Sequence, residues 1–454
     1  MNLRHKIGRG LGLVWATPGM RNKAATIWQL ALAAQRSRYR VRATHAVPED
    51  LAADTWADYS IQRFVSRNIN VRIDRTAAPR AWFVLPELNA SVIFGGYIAV
   101  FEYMRHVQSL GIETGIISLH PPSPPAQLLE EFKANPVAHA VLENSRLQKI
   151  GVSNTVALGA RDMLVSYNWT ASLVAARMAR FLDDPAYYYF AQEDERIFYS
   201  NDSYRFLCES VFHSTPRPRL ICNSSKLRAH FLSEGLIDEE TVVGLFEQGL
   251  QDSDLPLEQE LASRSPRKFA FYGRPEAHAK RNLMTVAMLA LAKAKRDGAF
   301  NAEPWEFYML GSQKMGASFE LEGMTIKAVP NQSYENYRRT LTGFDAGMCL
   351  MYAPHPSVPP FEMVRSGMVT VVNTNRARSG DWYREVSANF EPGFPSVDGL
   401  AAAIVRATAR VGDVASRRAA ASTYHPSDWS TSFAHLPGEL GHSIFETASQ
   451  EIKV

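Results

Sequence analysis

The stretch RKFAFYGRPEAHAKRN, residues 267–282, decides how the rest of the chain reads. Its first six residues have the apolar, aromatic character of a buried strand. Gly273 permits a tight turn, and Arg274 then stands at the strand's carboxyl end. A helical pattern follows in NLMTVAMLALAKAKRDG (282–298), and WEFYMLGS (305–312) is the next strand. Strand, turn, helix and strand make a βαβ unit. The alternation continues through MTIKAVP (324–330), YENYRRTL (334–341), AGMCLMYA (346–353), a helix from about Phe361, VTVVNT (369–374) and the helix AAAIVRATARV (401–411). Such alternation predicts a doubly wound parallel sheet.

The polar stretch QDSDLPLEQELASRSP (251–266) precedes this unit and reads as a linker. Upstream of it the same grammar occurs once more. AWFVLP (81–86) is a short apolar strand, ELNASVIFGG (87–96) is a turn ending in two glycines, and YIAVFEYMRHVQSLG (97–111) is a helix. GIETGIISL, RDMLVSYNW, AYYYFAQ and RLICNSS supply further strand openings. The division is therefore a basic N-terminal extension at 1–80, a first Rossmann-like domain at 81–262, a second at 263–424, and a tail at 425–454 without strand signal. In the extension, residues 22–38 read as a helix. Two such domains in series place a cleft between the carboxyl ends of two sheets, where open α/β folds bind ligands.

Composition narrows the function class. The 454 residues carry a net charge of +3, too little to argue for nucleic acid. The basic residues are uneven: Arg4, Lys6, Arg9, Arg21, Lys23, Arg36, Arg38, Arg40 and Arg42 fall in residues 1–45, which hold no acid. This segment reads as a solvated arm or as a peripheral contact with anionic lipid. Cys208, Cys222 and Cys349 are far apart and lack zinc-like spacing. A reduced, cytoplasmic setting fits them, at the inner face of the membrane if the arm binds lipid. No run approaches the ~18 apolar residues of a spanning helix.

Four stretches carry candidate chemistry. In FYGRPEAHAKRN, Arg274, Lys280 and Arg281 are cations beside a strand end, suited to a departing diphosphate whose charge grows in the transition state. In YAPHPSVPPFEMVRSGMVTVVNT (352–374) a proline-rich loop enters a helix with Glu362 in its first turn. A helix start attracts phosphate, and Glu362 can accept hydrogen bonds from sugar hydroxyls or merely compensate the helix dipole. The four prolines remove N–H donors there. Gly95 and Gly96 let backbone approach a ligand closely, or simply form the turn. Finally, Gln192, Glu193, Asp194 and Glu195 follow an aromatic strand and suit sugar hydroxyls, a base role or a solvated acidic loop.

From about Ala81 to Asp428 the chain resembles bacterial WsaF-like rhamnosyltransferases, retaining enzymes of the GT-B fold. The resemblance is carried by GGY after the first strand, SYNWTA (166–171), YFAQEDE (189–195), FYGRP with KRN, NQSYENYRR (331–339) and PHPSVPPFEMVRSGMVTVVNT (354–374). It implies two facing Rossmann-like domains, a dTDP-activated deoxysugar donor, typically L-rhamnose, and a surface-glycan or lipid-linked acceptor. It implies no cofactor and no metal. By position Arg274 and Lys280 match the diphosphate-binding cations, with Arg281 as the alternative to Lys280. Glu362 matches the second glutamate of the wider class's pair, which holds the nucleotide's sugar. The first falls at Pro354, leaving His355 and Ser357 as candidate replacements. Gly311 and Ser312 join the donor side, and Trp169, Gln192, Asp194 and Glu195 the acceptor side. Two other functions share this fold expectation: a sugar-nucleotide 2-epimerase, and a non-catalytic glycan- or nucleotide-binding scaffold.

Overall fold

The computed structural model describes residues 69–436, except 91–94, 121, 151–154, 252, 312–317, 331, 333, 424, 427 and 435. The basic segment 1–45, the helix read at 22–38 and Ser312 lie outside the described residues.

Two seven-stranded sheets organise the chain. The first contains β2 (Ala81–Leu85), β3 (Thr114–Ser118), β4 (Ser145–Lys149), β6 (Met163–Ser166), β7 (Tyr187–Ala191), β8 (Pro218–Asn223) and β9 (Val242–Phe246). Its order is β4-β3-β2-β6-β7-β8-β9, with every pairing parallel. The second contains β10 (Arg267–Tyr272), β11 (Trp305–Leu310), β12 (Ser318–Leu321), β13 (Met324–Ala328), β14 (Ala346–Cys349), β15 (Val369–Asn373) and β16 (Phe390–Gly393). Its order is β12-β13-β11-β10-β14-β15-β16, parallel but for the β12–β13 hairpin. In each sheet the order reverses beside the first strand, between β2 and β6 and between β10 and β14. A crevice opens outside the carboxyl ends of the strands at such a point.

The strands alternate their burial between two layers. Phe269 and Phe271 join a core with Leu291, Met309, Val371 and Ile404, while Ala270 joins Leu310, Cys349 and Met363 on the other face. In the first sheet Phe83, Val165 and Phe190 pack beneath the helix Gly95–Ser109, which presents Val100, Tyr103, Met104 and Val107. At roughly 25 cal/mol per Å² of apolar area, these layers supply the main driving force for each domain. The three cysteines are free and buried.

Two features depart from the sequence reading. Asn70–Asp74 (β1), read as part of the extension, pairs in parallel with Thr155–Gly159 (β5). Its exposure alternates along its length, so no apolar run announces it. Residues 429–436, read as a tail, return to the first domain: Phe433 and Leu436 enter its core and Trp429 packs against it. The Leu250 amide donates to the Pro426 carbonyl at 2.8 Å along this return. Gly249 runs so close to Asp428 that an added Cβ would lie 2.9 Å from its carbonyl carbon. A five-residue helix with apolar residues at i and i+4 is a weak local signal, and its partners lie in a helix that ends some 320 residues earlier.

Candidate functional site

On the second sheet the site is built at the carboxyl ends of β10, β11 and β14. Gly273 follows β10, where an added Cβ would meet the Phe271 ring at 2.6 Å. The turn sets Arg274 beyond the strand, half-buried, with its Nε 3.6 Å from the Glu276 carboxylate. Gly311 follows β11 at φ +87°, and its added Cβ would meet the Tyr272 ring at 2.6 Å, so only glycine passes there. Tyr272 is the common neighbour: Arg274, Arg281 and Glu362 all lie within electrostatic range of its hydroxyl.

The two cations after Arg274 part company. Lys280 is exposed. Arg281 is turned inward, with its guanidinium 4.8 Å from the Phe198 ring centroid in the first domain. Burial lowers the pKa of Arg281, and the nearby Glu193 opposes that shift. The side chain beside Arg274 is therefore Arg281, and the alternative to Lys280 is the one the fold brings to the cleft. The physical reason is the 3-10 segment Ala277–Asn282, which points successive side chains to different sides.

The proline-rich loop after β14 is held from behind. Asn373 accepts from the Met351 amide at 2.8 Å and donates to its carbonyl at 3.1 Å. Arg378 donates to the same carbonyl at 2.6 Å and to the Tyr383 hydroxyl at 2.7 Å. Asn375 donates to the Ala353 carbonyl at 2.9 Å. None of these three supports stood out in the sequence, although Asn373 lies within VTVVNT and Asn375 directly follows it. Ser357 takes a left-handed conformation (φ +66°), and its amide donates to His355 Nδ1 at 3.0 Å. That bond leaves the ring proton on Nε2. Burial, then the charges of Arg378 and Arg281, push the His355 pKa down to about 3, so the ring is a neutral donor.

The helix after this loop, Pro359–Arg365, corrects one expectation. Pro359 and Pro360 have no N–H, and the amides of Phe361 and Glu362 both donate to the Val358 carbonyl. These four positions leave no free backbone N–H to donate to an anion. Glu362 itself is buried, 7% exposed. The Tyr334 hydroxyl hydrogen-bonds its carboxyl, and burial pushes its pKa up to about 7. Its Oε1 has no hydrogen-bond partner among the described residues.

The first domain contributes a matching edge. The helix at Gly95 starts after β2, and an added Cβ on Gly96 would lie 2.6 Å from the Tyr167 hydroxyl and 3.5 Å from the Gln192 side chain. Gln192 accepts from Asn223 at 2.9 Å, while its Nε2 has no partner among the described residues. Next to it Glu193 accepts from the Asp194 amide at 3.0 Å and from the His355 amide of the second domain at 3.3 Å. Burial pushes its pKa up to about 8, against the pull of those amides and of Arg281.

The other three acceptor candidates are occupied inside the first domain. Asp194 accepts from the Arg196 side chain at 2.8 and 2.9 Å and from His230 at 2.9 Å. Burial opposes its ionisation, but these bonds outweigh it and hold the pKa at about 2. Glu195 accepts from the Trp169 amide at 2.6 Å and from the Tyr189 hydroxyl at 3.1 Å. Trp169, 2% exposed, donates its indole N–H to Tyr199 at 2.9 Å. Of the QEDE cluster, the pair that reaches the cleft is Gln192 and Glu193.

This arrangement, two doubly wound sheets with polar residues converging from their carboxyl edges, is a GT-B-like fold. Comparison with known proteins agrees. Residues 267–405 match the family model of the WsaF C-terminal domain, so the second domain is WsaF-like. HepE (Alr3699) of Anabaena, solved in complex with UDP, has a similar fold, with a TM-score of 0.52 and 12% identity over 83% of this chain and 100% of that one. The same protein in complex with UDP-glucose gives 0.51 and 12% over 82% and 99%. No curated protein matches the sequence. Among the described residues no helix is long and apolar enough to cross a membrane.

Proposed function

We propose that the chain transfers a sugar from a nucleotide donor, dTDP-L-rhamnose, to a surface-glycan or lipid-linked acceptor, with retention and without a metal. The observation that carries this reading is the convergence of Arg274, Arg281 and Glu362 around Tyr272, at the point where the strand order of the second sheet reverses. Glu362 takes the nucleotide's sugar, and the two arginines take the diphosphate. As the bond from the anomeric carbon to the diphosphate oxygen breaks, charge accumulates on the leaving group, and fixed guanidiniums stabilise it. The acceptor hydroxyl attacks from the face the diphosphate leaves, and its proton passes to a departing phosphate oxygen. The neutral His355 offers its Nε2–H to the donor in place of the carboxylate that the wider class carries nearby. Gly96, Gln192 and Glu193 close the site from the first domain and exclude water.

The test is a melting-temperature screen of dTDP-, UDP- and GDP-sugars, followed by assay with glycan acceptors. dTDP-L-rhamnose should raise the melting temperature most, because a ligand bound only by the native state stabilises it. Release of dTDP should then require acceptor. Conversion of the donor without acceptor would make the protein an epimerase, and the absence of any shift would remove the donor site altogether.

A further inference from the structure

Arg281 is anchored in one domain and steadied by the other. Its carbonyl accepts from the Tyr352 amide at 2.7 Å, which ties its backbone to the loop after β14. Its side chain crosses to the first domain, where the guanidinium carbon lies 4.8 Å from the Phe198 ring centroid. Phe198 closes the 3-10 turn Glu195–Phe198, and that turn is pinned at both ends. Asp194 caps its start by accepting from the Arg196 amide at 3.1 Å, and is itself held by the Arg196 side chain and His230. Glu195 accepts from the Trp169 amide and the Tyr189 hydroxyl. Directly after the turn, the Tyr199 hydroxyl accepts the Trp169 indole N–H, and the Tyr199 ring stacks on Tyr204 with centroids 5.3 Å apart. Asp194, Glu195 and Trp169 are thus the frame of the turn that carries Phe198. The ring itself is 43% exposed, so the frame orders a side chain that the core does not use.

The kind of partner matters for a guanidinium at a cleft. A carboxylate takes two of its N–H groups and cancels its charge. An aromatic face holds the cation through the ring quadrupole and consumes no N–H, so it does not compete with phosphate oxygens for the planar fork. Glu193 is the carboxyl within electrostatic range of Arg281, but one of its oxygens accepts from two backbone amides and burial disfavours its ionisation. A long side chain fixed only when the ligand arrives loses its rotamer freedom at that moment, and a ring that fixes it beforehand removes this cost from binding. We propose that Phe198 is a positioning residue of the donor site, presenting the Arg281 guanidinium to the donor's diphosphate from the opposite domain. This role rests on Arg274 and Arg281 as the diphosphate cations. It makes donor affinity depend on a ring of the acceptor-side domain.

The experiment is calorimetric titration of dTDP into the full chain, as wild type, Phe198→Leu and Phe198→Tyr, with the melting temperature of each recorded. Leucine keeps an apolar side chain without the aromatic face, and tyrosine keeps the face. Phe198→Leu should bind dTDP about three- to tenfold more weakly, the order that ordering one flexible side chain costs. Its melting temperature should be unchanged, as suits a half-exposed ring, and Phe198→Met takes its place should leucine lower it. Phe198→Tyr should bind as the wild type does, a rescue that loss of packing alone would not predict. Unchanged dTDP affinity in folded Phe198→Leu overturns the inference, as does an equal loss in Phe198→Leu and Phe198→Tyr. A raised acceptor KM with unchanged dTDP affinity overturns it too, by moving the ring to the acceptor. Failure of the wild type to bind dTDP overturns the donor-site reading itself, and the role of Phe198 with it.

Discussion

The two ends of the second sheet carry the same kinds of residue and use them in opposite ways. At the amino end, Asp345 is fully buried and surrounded by Arg264, Arg267 and Arg417, with N–O distances of 3.2, 3.6 and 3.2 Å. It also accepts from the Lys268 amide at 3.0 Å. At the carboxyl end, Glu362 is nearly as buried, yet one oxygen has no partner and burial lifts its pKa to about 7. A carboxylate with every lone pair engaged is structural. One held in a dry site with an unmet oxygen costs stability and gains it back only when a ligand arrives. The same contrast separates neighbours in the first domain: Asp194 is saturated by Arg196 and His230, whereas Glu193 beside it faces the other domain.

This contrast can be broken most sharply at the amino end. Asp345→Asn leaves three guanidiniums around a neutral amide, and should destabilise the protein by about 3–5 kcal/mol, read from the urea midpoint. A loss near zero would make the cluster ornamental. At the carboxyl end the expected loss is of rate. Arg274→Ala should lower kcat on the order of 10²–10³-fold with an unchanged urea midpoint. In the same series Lys280→Ala, a solvent-facing change, should stay within about twofold of wild type. Should Lys280→Ala fall as far as Arg274→Ala, the inward role given to Arg281 would be lost.

The smallest effect concerns Glu193. Its folded pKa of about 8 lies above the ordinary glutamate value. A raised carboxyl contributes its stability fully below the unfolded pKa and loses it as pH rises through the folded one. Glu193→Gln should therefore melt with the wild type near pH 4 and above it near pH 9, by roughly 2 °C or more. A gap that does not widen with pH would place Glu193 outside the buried contact with His355.

How much of this was legible depends on range. The runs AWFVLP and RKFAFYG announce strands because parallel strands are buried on both faces and read as continuous apolar segments. The strand FEPG (β16) does not, since it carries Pro392, which only an edge position tolerates. Arg274 and Glu362 could be picked out from strand-end and helix-start signals beside them. Asn373, Asn375 and Arg378 could not, because their work is to hold backbone carbonyls 22 to 27 residues away.

By itself the sequence determined two βα domains in series, a cation at the carboxyl end of β10 and an acid in the helix after β14. Those follow from local periodicity and from turns that constrain a few neighbouring residues. Only the tertiary structure decided between Lys280 and Arg281, between Glu193 and its saturated neighbours, and which oxygen of Glu362 is open. Each of these depends on what approaches from another element, and the chain records such approaches in residues too far apart for any local pattern to join.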